Sequence, residues 1–194
     1  MIKTVIFDFD GTLADCKKLH QDGFRAAVKK YAPDLMFEDE EVEGRPTREK
    51  IRILNAHGAN LNPDKVNETK QAHTQQHIPD YVFYRQDLYD AIEYLHKKGI
   101  KICLATNATS AFIDRSLEIM GIAHFFTKIN TATDFPAKPD TTTFMDCMRY
   151  TGSGPATTAI FEDSPVGIQC AIASGAIVVE VADVEDTIKK IYTI

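Results

Sequence analysis

The sequence predicts an α/β fold in which a doubly wound parallel sheet is interrupted near its start by an inserted block of helices. From residue 84 onward, short apolar runs alternate with helical periodicities, and such alternation builds βαβ units with helices on both faces of a sheet. Residues 16–82, in contrast, contain no convincing strand pattern. Because one strand precedes that block, the predicted domains are a core of residues 1–15 and 83–194 and a helical domain of residues 16–82.

Each element of the core is predicted from its own local pattern. The strands are short β-branched and apolar runs, at 4–7, 100–105, 127–130, 157–161 and 176–181. The helices have apolar residues at helical spacing and recognisable ends, at 87–98, 110–120, from Pro139 onward, after Ser164 and at 184–191. Phe144, Cys147 and Met148 share one face of the third helix. Ile168, Ala171 and Ile172 are predicted to point inward from the fourth.

Three helices are predicted within the inserted block. Phe24, Ala27, Val28 and Tyr31 share a face of the first, and residues 47–57 form the second. The third begins at 62–64, where Asn, Pro and Asp occupy the cap and first-turn positions that favour a helix start. A helical block inserted directly after the first strand is predicted to act as a lid.

Composition excludes several classes of protein. The chain has 194 residues and a net charge of −6, which argues against a basic surface for nucleic acid. It contains no apolar run long enough to cross a membrane, and a strand that begins near residue 3 leaves no room for a signal peptide. Four scattered cysteines, predicted to be buried thiols, indicate the reducing cytoplasm: Cys16, Cys103, Cys147 and Cys170.

Two acids follow the first strand where packing alone would not favour them. Asp8 and Asp10 come directly after a buried run, and Gly11 follows. Open α/β sheets bind ligands at the carboxyl ends of their strands, and a turn at Gly11 can re-aim the second acid. One acid is therefore expected to be a nucleophile or metal ligand, and the other a proton donor.

Further polar side chains are predicted to converge on the same edge of the sheet: Thr106, Asn107, Lys138, Glu162 and Asp163. A carboxylate such as Asp8 can attack phosphorus and form an aspartyl-phosphate. A magnesium ion held by Asp8 and Asp163 would neutralise the repulsion between nucleophile and phosphate. Lys138, the Thr106 hydroxyl and the Asn107 amide suit the non-bridging oxygens, while Asp10 suits proton transfer.

These segments resemble the four motifs of the haloacid dehalogenase superfamily, in the expected order. They read DFDGTL, LATN, KP and FEDS, at 8–13, 104–107, 138–139 and 161–164. The helix that follows the fourth motif, at 167–176, resembles the β-phosphoglucomutase-like subgroup. The helical block is similar to that subgroup's cap domain, and the core is expected to be Rossmann-like.

The resemblance implies a role for each candidate residue. Asp8 would be the nucleophile, Asp10 the general acid and base, and Thr106 and Lys138 the phosphate contacts. Magnesium would be held by Asp8, the Asp10 carbonyl and Asp163, with Glu162 supporting. Two residues of the helical domain, His20 and Arg48, match positions that face the substrate in relatives. Arg45 could take the place of Arg48.

The predicted function is therefore a magnesium-dependent phosphatase that acts on a small phosphorylated metabolite through an aspartyl-phosphate. A hexose-phosphate mutase is the alternative with the same chemistry. The lysine that the mutase uses late in its cap has no evident match in residues 70–86, and the tail after Val181 is short. A haloacid dehalogenase would not need the acid Asp10. A phospho-acceptor signalling module is the non-enzymatic alternative, although a helical lid does not suit a module that must expose its phosphorylated face.

Overall fold

The computed structural model describes residues 1–42 and 46–194. The chain divides into two compact units, one of Met1–Cys16 with Pro79–Ile194 and one of Lys17–Ile78. The sequence predicts these two junctions at 15/16 and 82/83. Each unit has its own buried core.

The larger unit is built on a five-stranded parallel sheet with strand order β3-β2-β1-β4-β5. The strands are β1 (Thr4–Phe7), β2 (Lys101–Ala105), β3 (Phe126–Asn130), β4 (Thr158–Glu162) and β5 (Ile177–Glu180). The first strand of the chain lies at the centre, where Phe7 is in register with Leu104 on one side and Phe161 on the other. This arrangement confirms the predicted doubly wound parallel sheet.

Eight α-helices lie in the described residues. In chain order they are α1 (Lys17–Tyr31), α2 (Thr47–Ala56), α3 (Pro63–Tyr81), α4 (Gln86–Lys97), α5 (Ser110–Met120), α6 (Thr142–Thr151), α7 (Pro165–Ala173) and α8 (Val184–Ile191). None of them is long and apolar enough to cross a membrane. The helix expected from Pro139 begins three residues later, at Thr142.

One face of the sheet packs against α6 and α7. Alternate strand residues, such as Ile6 and Ile160, form a buried cluster with the apolar side of α6, including Phe144 and Cys147. The predicted inward face of α6 is therefore confirmed. The neighbouring residues Phe7 and Phe161 point to the opposite face, because side chains alternate along a strand, and their rings lie 4.9 Å apart.

The prediction for the buried face of α7 was partly wrong. Ile172 is 62% exposed, whereas Gly167, Cys170 and Ala171 are buried. This helix carries apolar residues all around, so hydrophobicity alone did not identify its inner side. Small residues face inward because the helix lies close to the end of β4, and isoleucine on a surface is common enough to carry no signal of its own.

The helical unit has a separate core formed by α1, α2 and the start of α3. Its buried apolar residues are Phe24, Ala27, Val28, Val42, Ile51, Leu54, Leu61 and Val66. Asn55 fixes the connection between α2 and α3, since its side chain accepts a hydrogen bond from the Leu61 N–H at 2.6 Å and donates one to the Leu61 carbonyl at 2.9 Å. The three helices predicted from the sequence are all present.

Candidate active site

Asp8 lies at the carboxyl end of the central strand. Its main-chain N–H donates to the Phe161 carbonyl at 3.0 Å, so the position still belongs to the sheet, and only 8% of the residue is exposed. The residues before it are fully buried, which anchors the strand and holds the carboxylate at its end. Any side chain at this position is therefore held at the strand end by the packing of β1.

Asp10 lies within a tight turn that follows Asp8, so the surroundings of the two acids differ. The Gly11 N–H donates to the Ala14 carbonyl at 2.8 Å, and Gly11 has a φ of +85°. The Asp10 carboxylate accepts a hydrogen bond from the Cys16 N–H at 2.9 Å. A β-carbon at position 11 would lie 2.1 Å from Oδ2 of Asp163. Only glycine fits both the backbone conformation and the close approach of Asp163.

Lys138 joins two of the acids. It lies between β3 and α6 and is joined to the following Pro139 by a cis peptide bond. Only 3% of its side chain is exposed. Its Nζ donates to Oδ1 of Asp8 at 2.6 Å and also to Oε1 of Glu162. One buried cation is thus shared between the end of β1 and the end of β4.

Burial and charge act in opposite directions on this group. Burial raises the pKa of Asp8 to about 7, even though the nearby Lys138 ammonium lowers it. Burial alone would lower the pKa of Lys138, but the carboxylates of Asp8 and Glu162 outweigh it and raise that pKa. The lysine therefore stays charged, while the buried Asp8 carboxylate lacks the full compensation that a second cation would supply.

Glu162 is fully buried, and both of its carboxylate oxygens accept hydrogen bonds from the protein. Oε1 accepts from Lys138, while Oε2 accepts from the Ser164 hydroxyl at 3.0 Å and the Ser164 N–H at 3.3 Å. Ser164 also caps α7, as predicted, by accepting from the Gly167 N–H at 3.1 Å. A β-carbon on Gly167 would lie 2.0 Å from Oε1 of Glu162. A glycine is required there for α7 to pack on this carboxylate.

Three acids form a cluster that could hold a metal ion. Asp8, Glu162 and Asp163 each offer a carboxylate oxygen, and these oxygens lie within 4.8 Å of one another. Oδ1 of Asp163 is buried and has no hydrogen-bond partner, and burial together with the charge of Glu162 raises the pKa of Asp163. Oxygen ligands of this kind suit a hard divalent cation such as Mg²⁺. The donor set and the unpartnered oxygen fit such an ion.

The segment after β2 supplies a hydroxyl and an amide. Thr106 is buried, and its Oγ1 accepts a hydrogen bond from the Ala108 N–H at 3.1 Å. Thr106 does not occupy the cap position of a helix, because α5 begins at Ser110 with Thr109 in the cap position. The Asn107 side chain contacts the main chain of Lys138: Oδ1 accepts from the Lys138 N–H at 2.7 Å, and Nδ2 lies 3.5 Å from the Lys138 carbonyl.

The two candidates from the helical domain lie in the other unit. Arg48 is 76% exposed and pairs with Asp64 at 2.7 Å. Burial lowers the pKa of His20 to about 4, and the charges of Lys70 and Lys50 lower it further. Their orientation toward substrate stays a prediction. Arg45, the alternative to Arg48, lies outside the described residues.

The sequence predicts that Asp8, Lys138, Glu162 and Asp163 lie at one edge of the sheet, and the structure places all four there. The sequence did not predict that Ser164 donates hydrogen bonds to Glu162 or that Gly167 leaves room for its carboxylate. A glycine near the start of a helix marks a possible close approach, but the sequence does not say which side chain approaches.

The comparisons with known proteins agree with this geometry. Residues 5–181 match the family model described as haloacid dehalogenase-like hydrolase. A fructose-1-phosphate phosphatase, YqaB of Escherichia coli K12, is 28% identical over 91% of this chain and 95% of its own length. The pyrophosphatase PpaX of Oceanobacillus iheyensis is 28% identical over 84% of this chain and 75% of its own length. The crystal structure of β-phosphoglucomutase from Clostridium difficile superimposes with a TM-score of 0.77, 20% identity and coverage of 96% of this chain and 87% of that one.

The chain is a haloacid dehalogenase-like hydrolase, because the family model covers the sheet and all four motifs. The predicted family and the hydrolase class of enzyme are confirmed, and the fold is shared with a solved β-phosphoglucomutase. Membership of a hydrolase family disfavours the signalling-module alternative.

Proposed function

We propose that this protein is a Mg²⁺-dependent phosphatase that hydrolyses a small phosphomonoester through an aspartyl-phosphate on Asp8. The observation that carries the proposal is the buried Asp8 carboxylate, which has Lys138 Nζ at 2.6 Å on one side and the unpartnered Oδ1 of Asp163 in the same acid cluster. A carboxylate nucleophile with one ammonium group beside it, next to a candidate cation site, suits attack on phosphate. The relative named as a fructose-1-phosphate phosphatase supports this substrate class, and the relative named as a pyrophosphatase supports hydrolysis of a small phosphorylated compound more generally.

In the first step, an Asp8 oxygen would form a bond to phosphorus while the bond from phosphorus to the ester oxygen breaks. The departing oxygen needs a proton, and Asp10 is the acid we assign to supply it. The turn at Gly11 gives Asp10 a surrounding different from that of Asp8, and the Cys16 N–H holds its carboxylate. A fixed carboxyl group beside the reacting bond is the arrangement that general acid catalysis requires.

In the second step, water would attack the phosphorus of the aspartyl-phosphate. Asp10, now ionised, would take the proton from that water, and the bond between phosphorus and the Asp8 oxygen would break. Inorganic phosphate would leave, and both aspartates would return to their starting states. The same side chain would thus act as acid and then as base.

The transferred group carries negative charge that other residues would balance. Lys138 is held by Asp8 and Glu162 and would present its ammonium to a phosphate oxygen, while Thr106 would contribute its hydroxyl. We assign the Mg²⁺ site to Asp8, Asp163 and the Asp10 carbonyl, with Glu162 behind them. When bound, Mg²⁺ neutralises charge between nucleophile and phosphate. Because both Glu162 oxygens already accept hydrogen bonds, its role would be to position Lys138.

The helical unit would serve as the cap that selects the substrate. His20 and Arg48 are the two side chains we assign to contact the part of the metabolite beyond its phosphate. The four cysteines are buried free thiols, which supports the predicted cytoplasmic location, because buried reduced thiols are typical of reducing compartments.

The test is a screen of phosphorylated sugars, nucleotides and pyrophosphate for phosphate release in the presence of Mg²⁺. Glucose 1-phosphate is followed in two ways, as free phosphate for a phosphatase and as glucose 6-phosphate for a mutase. Hydrolysis of several phosphomonoesters, and trapping of an acid-stable phosphoenzyme on the peptide that contains Asp8, are the expected results. Formation of glucose 6-phosphate without net phosphate release would establish the mutase instead.

A further inference from the structure

The amide side chain of Asn107 holds the main chain of Lys138. Oδ1 accepts from the Lys138 N–H at 2.7 Å, and Nδ2 approaches the Lys138 carbonyl at 3.5 Å. One side chain therefore contacts both polar main-chain groups of the residue whose ammonium reaches Asp8. Since the amide plane contacts both groups, it constrains the direction of the chain as well as its position.

We propose that Asn107 is a positioning residue, which sets the reach of Lys138 rather than binding the phosphate with its own side chain. This inference rests on the proposed function for its kinetic consequences. It concerns the link between the loop after β2 and the loop before α6. Both loops begin at the carboxyl edge of the sheet, although Asn107 and Lys138 are 31 residues apart in sequence.

The head of Lys138 is held as closely as its backbone. Nζ is buried between Asp8 and Glu162. Two acids therefore hold the ammonium group, and Asn107 holds the main chain of the same residue. A lysine side chain has several rotatable bonds, and holding both ends leaves it few alternatives. When a phosphate enters, the ammonium group must change partners, and only the main chain of Lys138 would then keep its place.

Other hydrogen bonds join the same two loops without reaching Lys138. The Ala132 N–H donates to the Ala108 carbonyl at 3.0 Å, and the Ser110 N–H donates to Oγ1 of Thr133 at 2.9 Å. These bonds would keep the loops together if the Asn107 amide were removed. Loss of the Asn107 contact is therefore expected to displace Lys138 locally without separating the loops.

The first test is a double-mutant cycle of Asn107→Ala and Lys138→Ala, measured as kcat/KM on a fluorogenic aryl phosphate. If Asn107 acts through Lys138, Asn107→Ala lowers kcat/KM about 10- to 100-fold in the native background, as a displacement near 1 Å can do. It then has less than about a twofold effect when Lys138 is already alanine. Equal losses in both backgrounds would show that Asn107 contacts the phosphate directly and would overturn the proposal.

Thr109→Ala is the matched control. It lies in the same loop, and its side chain makes no cap hydrogen bond, so kcat/KM should stay within about twofold of the native value. If Lys138→Ala does not fold, Lys138→Met replaces it in the cycle, because methionine keeps an unbranched apolar stem and removes the ammonium group. The same non-additivity is expected with this variant, and additive losses would again contradict the inference.

A second measurement does not depend on activity. Hydrogen exchange at the Lys138 amide, followed by NMR, reports the bond from that N–H to Oδ1 of Asn107. Exchange should be at least about tenfold faster in Asn107→Ala than in the native protein and in Thr109→Ala. Unchanged exchange would refute the contact itself. Faster exchange in a protein that hydrolyses no phosphomonoester would leave the contact supported and the proposed function refuted.

Discussion

The carboxyl edge of the sheet and the helical unit both carry candidate substrate contacts, but they hold those side chains in different ways. At the sheet edge, Asp8, Lys138 and Glu162 are buried and bonded to one another. In the helical unit, the Arg48 side chain is 76% exposed, and the Asp64 side chain with which it forms an ion pair is 79% exposed. The sheet edge thus has a fixed arrangement suited to one reaction, whereas an exposed ion pair can exchange partners at little cost.

This difference suggests a division of labour. Chemistry that must treat every phosphate alike needs side chains that are already in place before the substrate arrives. Selection among metabolites needs side chains whose partners can be replaced by a ligand. If this division holds, substitutions at the sheet edge should cost the most activity and substitutions in the helical unit the least.

The largest effect is expected from Asp8→Asn, which removes the nucleophile. Turnover should fall about a thousandfold or more, while the melting temperature changes by only a few degrees, because Lys138 keeps its second partner, Glu162. Asp15→Asn, an exposed aspartate nearby, is the control and should retain activity. A folded Asp8→Asn protein with near-native turnover would remove Asp8 from the mechanism.

Removal of the metal should have the next largest effect. Activity on any phosphomonoester is expected to be lost in excess chelator and restored by Mg²⁺, because Asp8 and Asp163 need a cation between them. Asp163→Asn should raise the Mg²⁺ concentration needed for half-maximal activity by at least about tenfold. The control is Asp114→Asn, on the exposed side of α5. Full activity in chelator would contradict the assigned site.

Asp10→Ala should slow both proton transfers, and the loss in the first step should depend on the leaving group. An alkyl phosphate, whose alkoxide is a poor leaving group, should lose about 10²- to 10³-fold in its first step. p-Nitrophenyl phosphate needs little acid assistance, so its first step should lose less and the phosphoenzyme should accumulate. Rapid-quench measurements separate the two steps. Equal losses with both substrates, and no trapped phosphoenzyme, would show that Asp10 does not carry the proton.

Gly167→Ala should act on the same site through packing. The added methyl would lie 2.0–2.2 Å from the Glu162 carboxylate, which cannot move without leaving Lys138 or Ser164. A loss of about 1–3 kcal/mol in the free energy of unfolding is expected, with reduced kcat. Gly154→Ala, where a β-carbon would meet nothing within 4 Å, is the matched control in a denaturant titration. Equal stability of both variants would mean that Glu162 can relocate.

Most of the sheet edge could be predicted because strand ends determine where its side chains lie. The apolar run of β1 and the acids that follow it are adjacent in sequence, and parallel strands bring their carboxyl ends to one edge whatever the intervening chain does. Asp8, Lys138 and Asp163 therefore followed from the pattern. The buried face of α7 did not, because Ile172 and Ala171 are both apolar and only packing distinguishes them.

The contacts between individual side chains could not be predicted from the sequence, for a related reason. That Asn107 turns toward Lys138, and that Gly167 makes room for Glu162, depend on distances of a few ångströms between segments far apart in the chain. Helical spacing and helix start and end signals predicted α1, α2 and α3, but they did not identify the partner of Arg48. A periodicity determines which face is buried, and it leaves the partners on the exposed face undetermined.

The smallest effect, and the one that most directly tests the helical unit, is expected from Arg48→Ala. If Arg48 binds the part of the metabolite beyond the phosphate, its loss should raise KM for the best natural substrate about tenfold, the cost of one hydrogen bond to a charged group, and leave KM for p-nitrophenyl phosphate almost unchanged. Asp64→Asn is the matched variant, because it removes the partner of Arg48 and keeps the guanidinium. It should leave KM for the natural substrate unchanged or lower it. Stability should change by less than about 1 kcal/mol in both variants, since the pair is exposed. An equal rise in KM for both substrates would assign Arg48 to the phosphate, and no change for either would make it a surface residue whose only role is its ion pair with Asp64.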